Sequence, residues 1–207
     1  MDVKEVITME EAEVKSNVEN LQLYSDTYPF SLSLRISNFE NEGDYKKFVR
    51  NCEMLVRRSV EYKLWRNYIV EVLQINECMI TQEKNSEVSI DVHHHVPSLY
   101  ILVSSLVNRN IENGEDFCTF DLCKEVIELH FENKIGYVTL LKSMHEKFHN
   151  GRLDIPISLV KGDFRHYMNK FSRYLDEYDL ESMEERMVIN EGNCTWMRND
   201  YPAAMGA

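Results

Sequence analysis

Two groups of histidines about fifty residues apart are the feature that most constrains the fold of this chain. The first group, at residues 93–95, ends a β-prone run and is followed by Val-Pro. The second group is His145 and His149, four residues apart in a helix-prone run. On a helix this spacing places both imidazoles on one face, within about 5–6 Å at Cβ, where they can bind one metal ion. Such a pair is also common on solvated helix faces, but the three adjacent imidazoles upstream favour a metal site.

The length and composition indicate a soluble cytoplasmic protein with a packed core. A chain of 207 residues fits one domain, or one domain with an added helical lobe. It has no apolar run near the roughly 18 residues of a membrane span, and its acidic N-terminus (MDVKE) does not resemble a signal peptide. We therefore expect no membrane partner. The 5 cysteines show no Cys-x-x-Cys spacing, so we expect reduced thiols that mostly fill the core.

The charge distribution restricts how the chain can meet nucleic acid. Its formal net charge of -12 argues against broad coating of DNA, because such coating depends on clustered Lys and Arg side chains. One dense basic stretch lies on the polar face of an amphipathic helix that is predicted over residues 44–74. This face is a candidate for contact with a phosphate backbone. It is equally well explained as a solvated face that balances the acidic ends of the chain.

The chain divides into four segments. They are an acidic N-terminal arm (1–27), a strand and the long basic-faced helix (28–75), a core (76–152), and a C-terminal helix and tail (153–207). The strand is predicted at residues 30–36, where apolar and polar residues alternate. The C-terminal helix is predicted over 164–178, and the aromatic tail at 195–202 is expected to dock on the body of the protein.

The core segment is predicted to contain a hairpin, a helical insertion and the histidine-bearing helix. Residues 78–81 and 88–92 are β-prone and flank a polar turn, which is typical of a hairpin whose second strand leads into the histidine triplet. The inserted helices are predicted at residues 99–107 and 120–132. The run 137–145 then leads into the histidine-bearing helix, which Asn150-Gly151 ends as a C-cap. The expected fold class is α+β and mainly helical.

The order of these motifs resembles that of the HNH (ββα-metal) endonucleases. The chain has Val-His-His-x-Val-Pro at the strand end and later Tyr-Val-Thr-Leu-Leu-x-x-x-His-x-x-x-His-Asn-Gly, as in the HNH-type proteins of large tailed phages. The resemblance covers residues 78–151. It implies a phage-encoded, metal-dependent DNA endonuclease that acts in the host cytoplasm, with DNA and another phage protein as candidate partners. The cofactor would be one divalent ion, Zn²⁺, Mn²⁺ or Mg²⁺, and imidazole ligands favour a transition ion.

The resemblance also implies a role for each candidate site residue. The implied roles are metal ligand for His93, His145 and His149, general base for His94, orienter of that base for Asn133, and phosphate contact for Lys142 and Arg152. The ion would offset the charge that builds up on the leaving oxygen, and His94 would take a proton from the attacking water. Asn133 stands in for the asparagine of the family, because that position in this register is Gly136.

Two further interpretations compete with the nuclease. In the first, the chain is a non-catalytic phage binding or structural protein that retains the HNH-like metal site for stability. A structural zinc site has four protein ligands, and His95 is then the candidate for the fourth. In the second, the chain is a helical scaffold whose histidines are incidental.

Overall fold

A computed structural model of the protein describes residues 35–84 and 89–194. The acidic arm, most of the predicted strand at 30–36, the middle of the predicted hairpin turn (85–88) and the aromatic tail lie outside the described residues. The described part of the chain forms two compact units. Unit 1 comprises residues 35–65 and 102–132, and unit 2 comprises residues 66–101, apart from that turn, and 133–194.

The described residues are mainly helical with one small antiparallel sheet, which confirms the expected α+β class. The elements are α1 (Glu42–Arg58), α2 (Val60–Asn67), β1 (Ile90–Val96), α3 (Leu99–Asn113), α4 (Thr119–Phe131), β2 (Gly136–Leu141), α5 (Lys142–His149), α6 (Phe164–Phe171) and α7 (Glu177–Val188). None of these helices combines the length and the apolar character that crossing a bilayer requires.

In place of the single helix predicted over 44–74, the structure has two α-helices and a π-helical turn. The break lies at Ser59, whose backbone is extended (ψ 154°). The Ser59 N–H still bonds to the Leu55 carbonyl of α1, while its hydroxyl accepts the N–H of Tyr62 in α2. Ser59 therefore ends one helix and caps the next. The break also changes which side chains are buried, so the apolar side chain of Val60 is 65% exposed.

Unit 1 packs α4 against α1. The Cys123 thiol of α4 lies 3.7 Å from the carbonyl oxygen of Cys52 in α1. These two cysteines and the other three of the chain are free thiols, as expected. At the end of α4, the ring of His130 lies edge-on to that of Trp65, with 4.6 Å between the ring centroids. This histidine is buried, and its Nδ1 lies 2.6 Å from the Val126 carbonyl oxygen.

Unit 2 contains the sheet, in which β1 pairs antiparallel with β2. The predicted hairpin is therefore wrong, because residues 78–81 form a turn and the partner strand of β1 is at 136–141. Residues 77–79 instead lie along the other edge of β2, where the Met79 N–H donates to the Thr139 carbonyl and the Thr139 hydroxyl donates to the Glu77 carbonyl. The helical insertion consequently separates the two strands, rather than separating a hairpin from the helix.

Helix α5 follows β2 without a loop, and its end agrees with the prediction. Gly151 has a positive φ of 65°, which the Asn-Gly sequence favours. The N–H of Gly151 bonds to the Phe148 carbonyl and that of Arg152 to the Lys147 carbonyl, so the last turn of the helix is closed.

The predicted C-terminal helix at 164–178 is also divided into two. Asp163 caps α6 by accepting the N–H of His166, and Asp176 caps α7 by accepting the N–H of Asp179. Helix α7 packs against β1, and its Arg186 donates a 2.9 Å hydrogen bond to the carbonyl oxygen of His95. This contact holds the end of β1 where its pairing with β2 is irregular, between His94 and Val96.

Candidate metal centre

Three histidines from two elements of unit 2 converge at one point. His93 comes from β1, and His145 and His149 come from consecutive turns of α5. One ring nitrogen of each lies within 4.8 Å of the other two. The ring centroids are 4.7 Å apart for His93–His145, 5.2 Å for His93–His149 and 4.7 Å for His145–His149. The structure thus brings together the three residues that the sequence suggested as metal ligands.

The pairing of the strands explains this convergence. Ile90 at the start of β1 lies opposite Leu141 at the end of β2, and α5 begins at the next residue. The first turns of α5 therefore lie beside the first half of β1. Because side chains alternate along a strand, residues 91, 93 and 95 project to one face of β1, toward this helix.

The arrangement of nitrogens fits a small transition-metal ion. In a tetrahedral zinc site with Zn–N of about 2.0–2.1 Å, ligand nitrogens lie about 3.3–3.4 Å apart. The Nε2 atoms of His145 and His149 are 2.9 Å apart, close to that spacing, and the three ligand nitrogens lie within 4.8 Å of one another. The Nε2 of His93 is buried and has no hydrogen-bond partner among the described residues. A bound ion would satisfy this nitrogen.

Burial keeps His93 in the protonation state that a metal ligand needs. Desolvation is the largest cause that lowers the pKa of His93, to about 2, and the neighbouring His145, His95 and His149 lower it further. The imidazole is neutral at physiological pH and its lone pair is available. An ion bound here would not have to displace a proton from His93.

His95 and Phe148 form the inner wall of the site. The ring of Phe148 lies 4.7 Å from that of His93 and 5.4 Å from that of His95, measured between centroids. His95 is fully buried, neither of its ring nitrogens has a hydrogen-bond partner among the described residues, and burial lowers its pKa to about 3. Among the described residues, it is absent from the group of three converging nitrogens.

Asp91 and Arg66 lie near the histidines and were not among the site residues predicted from the sequence. Asp91 places Oδ2 3.3 Å from Nδ1 of His145, and its Oδ1 lies 3.6 Å from Nη2 of Arg66. The sequence contained a signal for Asp91, because it stands two residues before His93 and therefore shares a face of the strand with it. Arg66 lies far from the motifs in sequence and carried no such signal.

The other candidate site residues do not join the three histidines. His94 is only 4% exposed and lies opposite Tyr137 in the sheet. Asn133 is an exposed turn residue with a φ of 57°, and its carbonyl accepts the N–H of Asp163. Lys142 and Arg152 are exposed at the two ends of α5. A buried His94 is poorly placed to accept a proton from a water molecule on the ion.

The fold and the site define a mainly helical α+β protein with a three-histidine group between a strand and a helix. Residues 1–194 match the family model of the Bacteriophage G278-like virion proteins, and the chain belongs to this family. No curated protein and no solved structure matches the chain significantly.

Membership of a virion protein family overturns the prediction of a DNA endonuclease. The expectations of hydrolase activity and of DNA as the partner are wrong for the same reason. The phage context that accompanied the resemblance agrees with the family. The motif suggested a nuclease because histidines at these spacings are typical of metal coordination, which catalytic and structural sites share.

Proposed function

We propose that this chain is a non-catalytic structural protein of the phage virion in which His93, His145 and His149 bind one transition-metal ion. In this proposal the protein retains a ββα-metal arrangement, and the ion fastens β1 to α5. Other virion proteins are its partners, in keeping with the family. The observation that carries the proposal is the convergence of three ring nitrogens within 4.8 Å, with a buried, unpartnered nitrogen on His93.

The donor set favours zinc or a similar transition ion. Imidazole suits Zn, Cu, Fe and Ni, whereas Mg²⁺ prefers oxygen ligands and keeps several of its waters. The converging group consists of nitrogens alone, and the nearby carboxylate of Asp91 contacts His145 instead. We therefore expect Zn²⁺ to bind more tightly than Mn²⁺, and Mn²⁺ more tightly than Mg²⁺.

An ion that binds only the folded chain stabilises it by mass action. At a free concentration one hundred times its dissociation constant, the ion contributes about 2.7 kcal/mol. For a chain of this length, each kcal/mol raises Tm by about 2–4 °C. Saturation at that level would therefore raise Tm by roughly 5–10 °C.

The test measures metal content and thermal unfolding of the purified full chain. After treatment with a chelator, the protein is dialysed against Zn²⁺, Mn²⁺ or Mg²⁺, and bound metal is measured by mass spectrometry of the elements. We expect one Zn²⁺ per chain and a higher Tm, and His149→Ala should lose both effects. His166→Ala on α6 is the matched control, because this histidine lies outside the group and should leave both intact. Absence of zinc from the wild type, or its undiminished binding to His149→Ala, would overturn the proposed site.

The virion role has a separate test. Antibodies against the chain, or peptide mass spectrometry, should detect it in purified particles at a constant number of copies. Detection only in the lysate, and not in the particles, would contradict a structural role.

A further inference from the structure

Asp91 lies beside the ring nitrogen of His145 that does not face His149. Its Oδ2 is 3.3 Å from Nδ1 of His145, whereas the Nε2 of the same ring faces Nε2 of His149 at 2.9 Å. We infer that Asp91 is a positioning residue of the metal centre, which accepts the Nδ1–H of His145 and thereby directs the Nε2 lone pair toward the ion. This inference rests on the proposed function of the three histidines.

A neutral imidazole has two tautomers, and a hydrogen bond can select one of them. Only one of its two nitrogens carries the proton, and the other holds the lone pair that can bind a metal. A carboxylate beside Nδ1 stabilises the form with hydrogen on Nδ1, so the lone pair stays on Nε2. The same hydrogen bond fixes the orientation of the ring and makes Nε2 a stronger donor. Without it, the ring of His145 would be free to turn and to exchange the proton between its nitrogens.

Asp91 cannot be a ligand of the same ion through this contact. The carboxylate approaches Nδ1, and the two nitrogens of an imidazole point in different directions from the ring. Asp91 is also absent from the group of converging ligand atoms. Its role is therefore to hold a ligand.

Arg66 supports Asp91 in turn. Its Nη2 lies 3.6 Å from Oδ1, so the two oxygens of the carboxylate face different partners. The side chain of Asp91 is 30% exposed, and a cationic neighbour limits how far the carboxylate can turn into solvent. We call Arg66, Asp91 and His145 the relay, because Arg66 contacts Asp91 and Asp91 in turn contacts His145.

A purely structural role is the alternative explanation of the contact between Asp91 and His145. Asp91 belongs to β1 and His145 to α5, so their contact would also tie the two elements together in the absence of any ion. In that case its loss would lower the stability of the metal-free protein and leave the affinity for metal unchanged. A positioning role predicts a large change in affinity, beyond any change in metal-free stability.

The test compares Asp91→Asn with wild type in the full chain. Zinc affinity is measured by competition with a coloured chelator, and Tm is measured without metal. We expect the dissociation constant for Zn²⁺ to rise about 10- to 100-fold, as for other residues that orient a metal-binding histidine. Glu146→Gln is the control, because it removes an exposed carboxylate from the same helix as the ligands. Its dissociation constant should stay within about 2-fold of wild type.

A spectroscopic measurement separates positioning from simple packing. Nitrogen NMR of the zinc-loaded protein should show His145 bound through Nε2 with a proton on Nδ1 in the wild type. Equal zinc affinity in Asp91→Asn and wild type, or zinc on Nδ1 of His145, would overturn the inference while the three-histidine site stands. A wild type that binds no zinc would overturn the site and the relay together.

Discussion

The buried His130 of unit 1 makes folding sensitive to acid. Burial is the largest cause that lowers the pKa of this imidazole, from 6.5 to about 4, and the nearby charge of Arg57 acts in the same direction. The hydrogen bond to the Val126 carbonyl opposes these two effects. Between these two pKa values the unfolded chain binds a proton that the folded chain does not. Stability therefore falls as the pH falls through this window.

The magnitude follows from the two pKa values. One pKa unit corresponds to about 1.4 kcal/mol, so the full effect is about 3 kcal/mol and is reached below about pH 4. At about pH 5 the loss relative to pH 8 is about 2 kcal/mol. His130 is 1% exposed and its ring packs edge-on against those of Trp65 and Tyr62, so solvent cannot screen the added charge.

The assay is urea unfolding at several pH values, with chelator present so that no metal contributes. His130→Phe keeps a ring of similar size but cannot be protonated. We expect wild type to lose about 2 kcal/mol more than this variant between about pH 8 and about pH 5. Ile127→Val on the same helix is the control, which should cost about 0.5–1.5 kcal/mol at every pH and leave the pH dependence unchanged. If wild type and His130→Phe lost stability in parallel, the buried neutral histidine would not be the cause.

Three other substitutions test contacts within the units. Gly162→Ala should lower the free energy of unfolding by several kcal/mol more than Gly151→Ala, as measured by thermal unfolding. Both glycines have a positive φ, but only at Gly162 would an added Cβ overlap the Ile135 carbonyl, and equal losses would contradict this. Glu125→Gln should lower the free energy of unfolding in urea by about 1–3 kcal/mol, because it leaves the partly buried Arg109 without its paired carboxylate. An unchanged urea midpoint would contradict this expectation. Arg186→Met should lower stability by about 1–3 kcal/mol by removing the donor to the His95 carbonyl, and unchanged unfolding would show that this bond is dispensable.

The helices could largely be predicted from the sequence because their signals are local. Periodic apolar positions marked both inserted helices, and Asn150-Gly151 marked the end of α5. The break at Ser59 was missed, because apolar residues continue through it at helical spacing. Only the exchange of hydrogen-bond partners at that serine reveals that the buried face changes.

The pairing of the strands could not be predicted from the same kind of signal. The sequence predicts the nearest β-prone run before β1 as its partner, since neighbouring strands often pair. The true partner, β2, is buried along its whole length, so its sequence GYVTLL shows no alternation of apolar and polar residues. A short apolar run of this kind is ambiguous between a strand and a buried helix, and it lies next to a real helix.

The residues that converge in the candidate site were predictable from the sequence, but the residues around them were not. The spacing of His145 and His149 and the resemblance at His93 selected three residues that do converge. No sequence motif marks the other residues around the site. The packing of α2, α7 and α5 brings Arg66, Arg186 and Phe148, respectively, to the site. The assigned chemistry was wrong because a ligand motif describes coordination and carries no information on access to a reacting water.

The proposed ion would join two elements of unit 2 that are weak by themselves. A two-stranded sheet is marginally stable at best, and a helix as short as α5, from Lys142 to His149, is not stable alone in water. In the proposed function, an ion bound by one residue of β1 and two of α5 would join these weak elements, and its binding free energy would contribute directly to folding. A nuclease would need a general base exposed to water beside the ion, whereas the residue adjacent to His93 is buried within the sheet. An ion held by these three imidazoles, as proposed, would therefore have its larger physical effect in cross-linking a strand to a helix.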